Sequence, residues 1–371
     1  MADTPLTVVG AGVAGLAVAA RVAPRLPELV ILERRDRHGT ETSSRNSEII
    51  HAGLYYPTGS LKAVLCVRGK ELLYEACARH GIAHRRTGKL VVATSAEEES
   101  ELDRLLALGR ANGVELTRLS ADECRRLEPH VPAAAGLLSP STGIVSADAL
   151  MDALLQQARG ARALLQTRAE LVGLERRDRD YRLTIETPDG TESFTSERVV
   201  NAAGLESDHV AALAGIDTDA AGYGQHWWKG SYFAVAGPKA RLVSRLVYPV
   251  PDPVSLGVHV VLGLDGRVRF GPDAEHLPER RLDYSVDETR RAAFGDAVRR
   301  LVPEIEDEDL TPDFAGIRGK LQGPGESFRD FVVAEESPRG LPGLVNLVGL
   351  DSPGLTSCLA LAEAVDRLLP A

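Results

Sequence analysis

Leu6-Thr7-Val8-Val9-Gly10-Ala11-Gly12-Val13-Ala14-Gly15 is the stretch on which the reading of the fold turns. The apolar run Leu6 to Val9 suits a buried parallel strand. The Ala-rich stretch Leu16 to Val22 reads as a helix that stops near Pro24, and Leu29 to Leu32 as a second strand ending at Glu33. Together they make a compact βαβ unit with Gly10-x-Gly12-x-x-Gly15 at its first turn. Gly10 permits the tight turn, Gly12 lets backbone approach a pyrophosphate, and Gly15 lets the helix pack closely on the strand. The helix N-terminus, at Val13 and Ala14, faces the phosphates. Glu33, 18 positions beyond Gly15, is placed to accept hydrogen bonds from ribose hydroxyls, with Arg34 beside it. The unit therefore predicts a dinucleotide site.

Outward from that stretch, 371 residues make room for two or three domains. Apolar residues are 44% and charged residues 26%, which excludes a disulfide scaffold, a collagen-like fibre and a largely disordered chain. The net charge is −10 and there is no long Lys/Arg run, which argues against a nucleic-acid binder. Cys66, Cys77, Cys124 and Cys358 form no C-x-x-C pair and read as reduced, buried thiols. The nine histidines are scattered and predict no metal site. Thr4 to Ala20 carries no charge, but its in-phase glycines and lack of a basic n-region argue against a membrane span or signal peptide. The cytoplasm is the default expectation, with loose membrane-surface attachment left open.

Further along, helices are expected over 61–80, 96–112, 121–128, 147–158, 288–301 and 355–369. Strands are expected over 89–94 and 344–348, with a mostly β region over 231–271. A hairpin is expected over 169–186 and 192–203, turned by Asp189-Gly190. No internal repeat or linker is evident, so the domains are expected to interleave.

Two later segments favour FAD over NAD. Val199 to Gly204 is an apolar strand ending in Ala203-Gly204, whose small residues let the chain pass close to a cofactor. Asn346 to Thr356 is a second glycine-rich strand–turn–helix, carrying Gly349, Leu350, Ser352, Gly354, Leu355 and Thr356. It can bring a helix N-terminus to the flavin, where negative charge develops on reduction. No second GxGxxG occurs mid-chain, where a nicotinamide site would lie, so the electrons are expected to come from the substrate itself.

These residues resemble the FAD-dependent amine and hydroxy-acid oxidoreductases related to D-amino-acid oxidase, and within them the L-2-hydroxyglutarate dehydrogenases and oxidases. Asn46-Ser47-Glu48-Ile49-Ile50-His51-Ala52-Gly53-Leu54-Tyr55-Tyr56 is similar to that family's flavin-proximal segment, continued by Gly59 to Ala63. Further ordered matches are Lys229 to Phe233, Tyr248 to Pro253, Leu256 to His259, Gly271-Pro272, Gly316-Ile317-Arg318 and Ser352 to Thr356. The chain departs from the family at Trp227-Trp228 and at Gly319, where proline is common, followed by Lys320. Both departures are expected to reshape the substrate pocket.

The resemblance implies a Rossmann-like FAD-binding domain built from 1–80, 140–220 and 315–371. An interleaved antiparallel-sheet substrate domain would take 81–139 and 221–314, for an α/β fold with an α+β cap. It implies FAD, a small hydroxy-acid or amino-acid substrate, and oxygen or a quinone as electron acceptor. The reaction needs a base near the hydroxyl and cations for carboxylates. His51 and His259 are the base candidates, and His51 is preferred because its segment runs past the flavin. Arg318 is the carboxylate clamp. Lys229 is a second cation, and Tyr248 a substrate hydrogen-bond donor. Ser43, Arg45, Asn46 and Ser47 are assigned to the cofactor, with Lys62 near cofactor or substrate. The expected reaction is oxidation of a 2-hydroxy acid to the 2-oxo acid. The near alternative is an amine oxidase acting on glycine, sarcosine or another amino acid. A non-catalytic flavin-binding protein and an NAD-dependent dehydrogenase are the alternatives of other classes.

Overall fold

The computed structural model describes residues 2–251 and 257–369. Its organising element is a six-stranded sheet. β1 (Thr7–Val9) lies between β2 (Val30–Glu33) and the strand Val199–Asn201, parallel to both, with Thr7 opposite Val30 on one side and Val199 on the other. Leu164–Thr167 extends the sheet beyond β2, and Leu341–Val348 extends it beyond Val199–Asn201, both in parallel. Val332–Glu336 closes the far edge antiparallel. β1 is thus the strand at which the order reverses, the place where a doubly wound sheet leaves a crevice at its carboxyl end.

α1 (Val13–Val22) buries Leu16, Val18 and Val22 against this sheet, together with the helices Ala147–Gly160 and Gly354–Leu368. The strands are rich in Val, Ile and Leu because both their faces are covered. Gly15 is obligatory here: a Cβ would lie 2.0 Å from the Gly10 carbonyl oxygen.

A second core gathers two further sheets. In one, the long strand His226–Val235 pairs antiparallel with Leu310–Lys320 along its length, and with Val268–Gly271 and Glu275–Leu277. His259–Leu262 pairs with Val268–Gly271 outside them. In the other, Leu246–Pro249 runs parallel to Lys89–Ala93, backed by Ala135–Ser139 and Thr117–Ser120.

The expected helix over 61–80 is present as Leu61–His80, capped by Ser60, whose hydroxyl accepts from the Ala63 amide, and ended by Gly81 with φ +67. The expected hairpin proves to be three-stranded, Glu170–Arg176, Tyr181–Thr187 and Gly190–Ser196. Its last stretch separates, and Val199–Asn201 enters the parallel sheet instead. The Leu310–Lys320 strand was not foreseen, and the expected domain boundary at 315 falls inside it. Pro312, Gly316 and Gly319 disguise it as a loop. The glycines are there for space: a Cβ on Gly316 would stand 2.0 Å from the Arg45 carbonyl oxygen, and one on Gly319 2.5 Å from Gln225 Oε1.

Gly316→Ala should therefore force the Arg45 backbone away and destabilise the protein by about 1–3 kcal/mol. Gly160→Ala, at a helix end with open space around it, should leave stability unchanged or raise it by up to about 1 kcal/mol. Urea denaturation of the two variants checks both signs.

Candidate active site

The glycine turn presents the first amides of α1 to the crevice. Leu16 N–H closes onto Gly12 O at 2.9 Å, which leaves the preceding amides directed out of the helix end. The Val13 amide donates to Ser43 Oγ at 2.9 Å, so the 42–47 loop is drawn over the turn. Gly10 has φ +101, and a Cβ there would strike the Ala202 carbonyl at 2.5 Å. At the end of β2, Glu33 accepts from the Ala11 amide at 3.0 Å and the Arg35 amide at 2.9 Å. Arg34 turns to Glu41, which it grips through three bonds of 2.8, 3.0 and 3.2 Å. Ala203 is held by Asn201 Oδ1, and Gly204 turns the chain with φ +57.

Asn46 spends its side chain on the loop itself. Nδ2 donates to the Thr42 and Ser43 carbonyls, and Oδ1 accepts from Glu48 N, which holds Glu48 at φ +53. Ser47 Oγ meets Tyr232 OH at 2.7 Å. Arg45 lies over the Tyr284 ring at 4.1 Å with its Nε buried and unpartnered.

The C-terminal turn meets this loop. Thr356 Oγ1 donates to Ile49 O at 3.1 Å and accepts from His51 N at 3.0 Å. Gly349, with φ +71, donates to Gln225 Oε1 at 3.3 Å. Leu350, Gly354 and Leu355 are half-buried around the N-terminal end of the last helix. Ser352 Oγ lies 3.3 Å from Tyr56 OH and 3.5 Å from His51 Nε2. Lys62 reaches in from its helix and forms a buried ion pair with Asp351 at 2.7 Å.

His51, His259, Tyr248 and Arg318 come together at the crevice wall. His259 Nδ1 is 2.8 Å from Gly257 O, which fixes the tautomer and leaves Nε2 as a buried, unpartnered acceptor. Tyr248 stacks on the His259 ring at 3.7 Å. His51 Nδ1 is likewise buried without a partner. Burial, reinforced by the charge of Lys89, holds His51 well below the usual histidine range and His259 at about 3, so both imidazoles are neutral. Arg318 is half-buried and, among the described residues, donates only to the Asp273 carbonyl, at 3.4 Å. Among the described residues it has no carboxylate within 4 Å.

Lys229 is not part of this group. Its ammonium is paired with Asp283 at 3.0 Å, so its charge is already answered. Asp252, Pro253 and Leu256 lie outside the described residues. Sequence reading missed Lys89, which is 0% exposed and sits between Tyr55 and Tyr248, 4.5 and 4.4 Å from their ring centres, with no hydrogen-bond partner. Burial pulls it down to about 7. A lysine opening a strand of otherwise apolar residues was the only signal.

The residues fit FAD. The glycine cradle has no room for side chains and offers helix amides to phosphate. Arg45 Nε, His51 Nδ1, Tyr55 OH, His259 Nε2 and Tyr284 OH are buried without protein partners around the same crevice. Such atoms are rare in a folded chain unless a bound molecule satisfies them. The four cysteines are free and buried, and Cys66 is pushed up to about 12, an inert thiol. No three potential metal-ligating side chains gather among the described residues, and none of their helices is long and apolar enough to cross a membrane.

Residues 6–368 match the family model described as FAD dependent oxidoreductase. The chain belongs to that family. The oxidoreductase is 38% identical over 395 aligned positions to the mitochondrial L-2-hydroxyglutarate dehydrogenase of Arabidopsis thaliana, covering 96% of this chain and 82% of that one. It is 30% identical to the human mitochondrial L-2-hydroxyglutarate dehydrogenase, covering 97% and 87%. Among solved structures it resembles L-alpha-glycerophosphate oxidase of Mycoplasma pneumoniae with FAD bound, with a TM-score of 0.89, 25% identity and coverage of 99% and 94%. Glycine oxidase of Geobacillus kaustophilus shares the fold, with a TM-score of 0.78 at 23% identity, covering 99% and 95%. The oxidoreductase is thus an FAD enzyme with a Rossmann-like cofactor domain.

The neutral state of His259 has a consequence for stability. Between its folded value of about 3 and the ordinary value of about 6.5, the unfolded chain binds a proton that the native chain does not. Stability must then fall as pH drops below about 6.5, by about 1.4 kcal/mol per pH unit for this group. Urea titrations should show His259→Gln losing ~2 kcal/mol less than the parent between pH 6.5 and pH 5. Equal losses would remove His259 from this account.

Proposed function

We propose that this oxidoreductase converts a 2-hydroxy acid, L-2-hydroxyglutarate, to the 2-oxo acid and passes the electrons to oxygen or a quinone. The observation that carries the reading is the juxtaposition of an Arg318 guanidinium, which has no carboxylate partner among the described residues, with two neutral histidines. The name shared by relatives from plant and animal, matched over nearly all of this chain, supports the same substrate. An amine oxidase has less support, because those relatives are named for a hydroxy acid.

Bound FAD supplies a two-electron acceptor for the hydride that leaves C2. The chain's own part is to hold the substrate and move one proton. Arg318 takes the carboxylate beside the hydroxyl-bearing carbon through its planar fork. His51, neutral and with Nδ1 unpaired, accepts the hydroxyl proton as the C–O double bond forms. Thr356 fixes the His51 backbone, so its imidazole is presented at one angle. His259, pinned by Gly257 and stacked on Tyr248, offers a second acceptor that orients the hydroxyl. Tyr55, Tyr248 and Lys89 close the wall behind the histidines and keep water from them.

An anaerobic visible spectrum tests the reading. L-2-hydroxyglutarate should bleach the flavin bands of the purified protein. Flavin that stays oxidised with this acid but bleaches with an amino acid would replace the reading by the amine-oxidase one.

The roles separate kinetically. His51→Ala should slow flavin reduction by about 100- to 10,000-fold with FAD still bound. Arg318→Ala should raise the half-saturating substrate concentration by about tenfold to a hundredfold. If His259→Ala costs more than His51→Ala in stopped-flow reduction, the two histidines exchange roles.

A further inference from the structure

Arg318 and Lys320 are alternate residues of the Leu310–Lys320 strand, so their side chains leave the same face of the sheet. Trp228 stands opposite Arg318 on the adjoining strand, His226 opposite Lys320, and His276 opposite Trp228 on the strand beyond. The Trp228 indole is fixed, donating to Gln322 O at 3.2 Å and lying 5.1 Å from the His276 ring. Lys320 Nζ sits 5.5 Å from its centre. Trp228 and Gly319 are places where this chain leaves its family's usual pattern; Lys320 follows Gly319, and the structure puts Trp228 and Lys320 together beside the carboxylate clamp.

Two other lysines nearby are spent, and Lys89 is enclosed between Tyr55 and Tyr248. Lys62 is bound to Asp351 at 2.7 Å and Lys229 to Asp283 at 3.0 Å. Among the described residues Lys320, like Arg318, has no carboxylate within 4 Å. Lys320 is half-buried, and burial pushes its ammonium below the usual lysine range. Asp351 pulls the other way, while Arg318 and Lys62 repel it. Two cations that repel each other on one strand face call for an anion with two charges. Their backbone anchors are about 7 Å apart. The carboxylate carbons of an extended five-carbon diacid are separated by about 5 Å. Both side chains are long enough to converge over that difference.

We infer that Lys320 is a specificity-determining residue that binds the second carboxylate of the substrate, against the Trp228 face, while Arg318 binds the first. The inference rests on the hydroxy-acid reading above and adds to it a reason for selecting dicarboxylates over monocarboxylates. Gly319 makes this arrangement feasible, since it lets the strand pass Gln225 without turning either cation away.

The experiment compares the FAD-loaded parent with Lys320→Gln and Lys320→Arg, using two readouts. The first is flavin bleaching by L-2-hydroxyglutarate and by L-2-hydroxybutyrate. The second is perturbation of the oxidised flavin bands by the unreactive diacid glutarate, with butyrate as its monocarboxylate counterpart. Lys320→Gln should raise the half-saturating concentrations of L-2-hydroxyglutarate and glutarate by about tenfold to a hundredfold. It should change those of the monocarboxylates by less than about twofold, and Lys320→Arg should restore most of the loss. An unchanged glutarate affinity in Lys320→Gln, an equal loss for mono- and dicarboxylates, or a parent that glutarate does not perturb would each overturn the assignment. A parent that binds glutarate in a Lys320-dependent manner, but is not bleached by L-2-hydroxyglutarate, would keep Lys320 in its role and reject the hydroxy-acid reading.

Discussion

The hydroxyl of Thr356 joins two parts of the chain that lie 307 residues apart in sequence. It donates to the carbonyl of Ile49 and receives the amide of His51, so one side chain completes the backbone pairing of a two-residue strand that has little else to hold it on that edge. Much of the site depends on this clasp. It sets where His51 stands, and it seats the N-terminal end of the last helix against the 42–51 segment. It also brings Ser352 to within 3.5 Å of the imidazole. Gly69 allows the clasp: its helix passes so close that a Cβ would lie 2.3 Å from the Thr356 carbonyl oxygen. A hydrogen bond of ordinary strength thereby governs geometry far beyond its own contribution to stability, which is about 1 kcal/mol.

Electrostatics around the clasp follow one pattern. Carboxylates are consumed close to where they arise: Glu41 by Arg34 and Arg35, Asp351 by Lys62, Asp283 by Lys229. Arg318, Lys320 and Lys89 have no carboxylate within 4 Å among the described residues. In a protein with net charge −10 this is a local reversal of sign, set into the crevice wall. It attracts anions, and it adds to burial, the larger cause, in keeping the neighbouring histidines unprotonated and so able to accept a proton.

What could be read in the sequence divides along physical lines. The βαβ unit was legible because glycine spacing, apolar runs and a terminal acid all report local geometry. The Leu61–His80 helix was legible as a helical stretch, to which the structure adds the Ser60 cap and the terminal Gly81. The Leu310–Lys320 strand was hidden because Gly316 and Gly319 answer to Arg45 and Gln225, partners distant in sequence. The convergence of His51, His259, Tyr248 and Arg318 was reached through family resemblance, since no spacing along the chain implies it. Lys229 and Lys89 exchanged places for the same reason. A lysine in a family motif looked free until its partner Asp283 was seen, and one at the start of an apolar strand looked ordinary until its burial was seen.

The sheet order also bears on synthesis. Leu341–Val348 lies directly beside Val199–Asn201, one strand removed from β1. The strand that opens the chain finds its neighbours early, at residue 30 and near residue 200. The layer is finished only when residue 348 has left the ribosome. Until then the Val199–Asn201 edge is bare, and neither the last helix nor Thr356 is present to seat the cofactor loop. Such long-range pairing delays the final step of folding. Cofactor capture therefore waits on the pairing of Leu341–Val348 and on the arrival of the last helix.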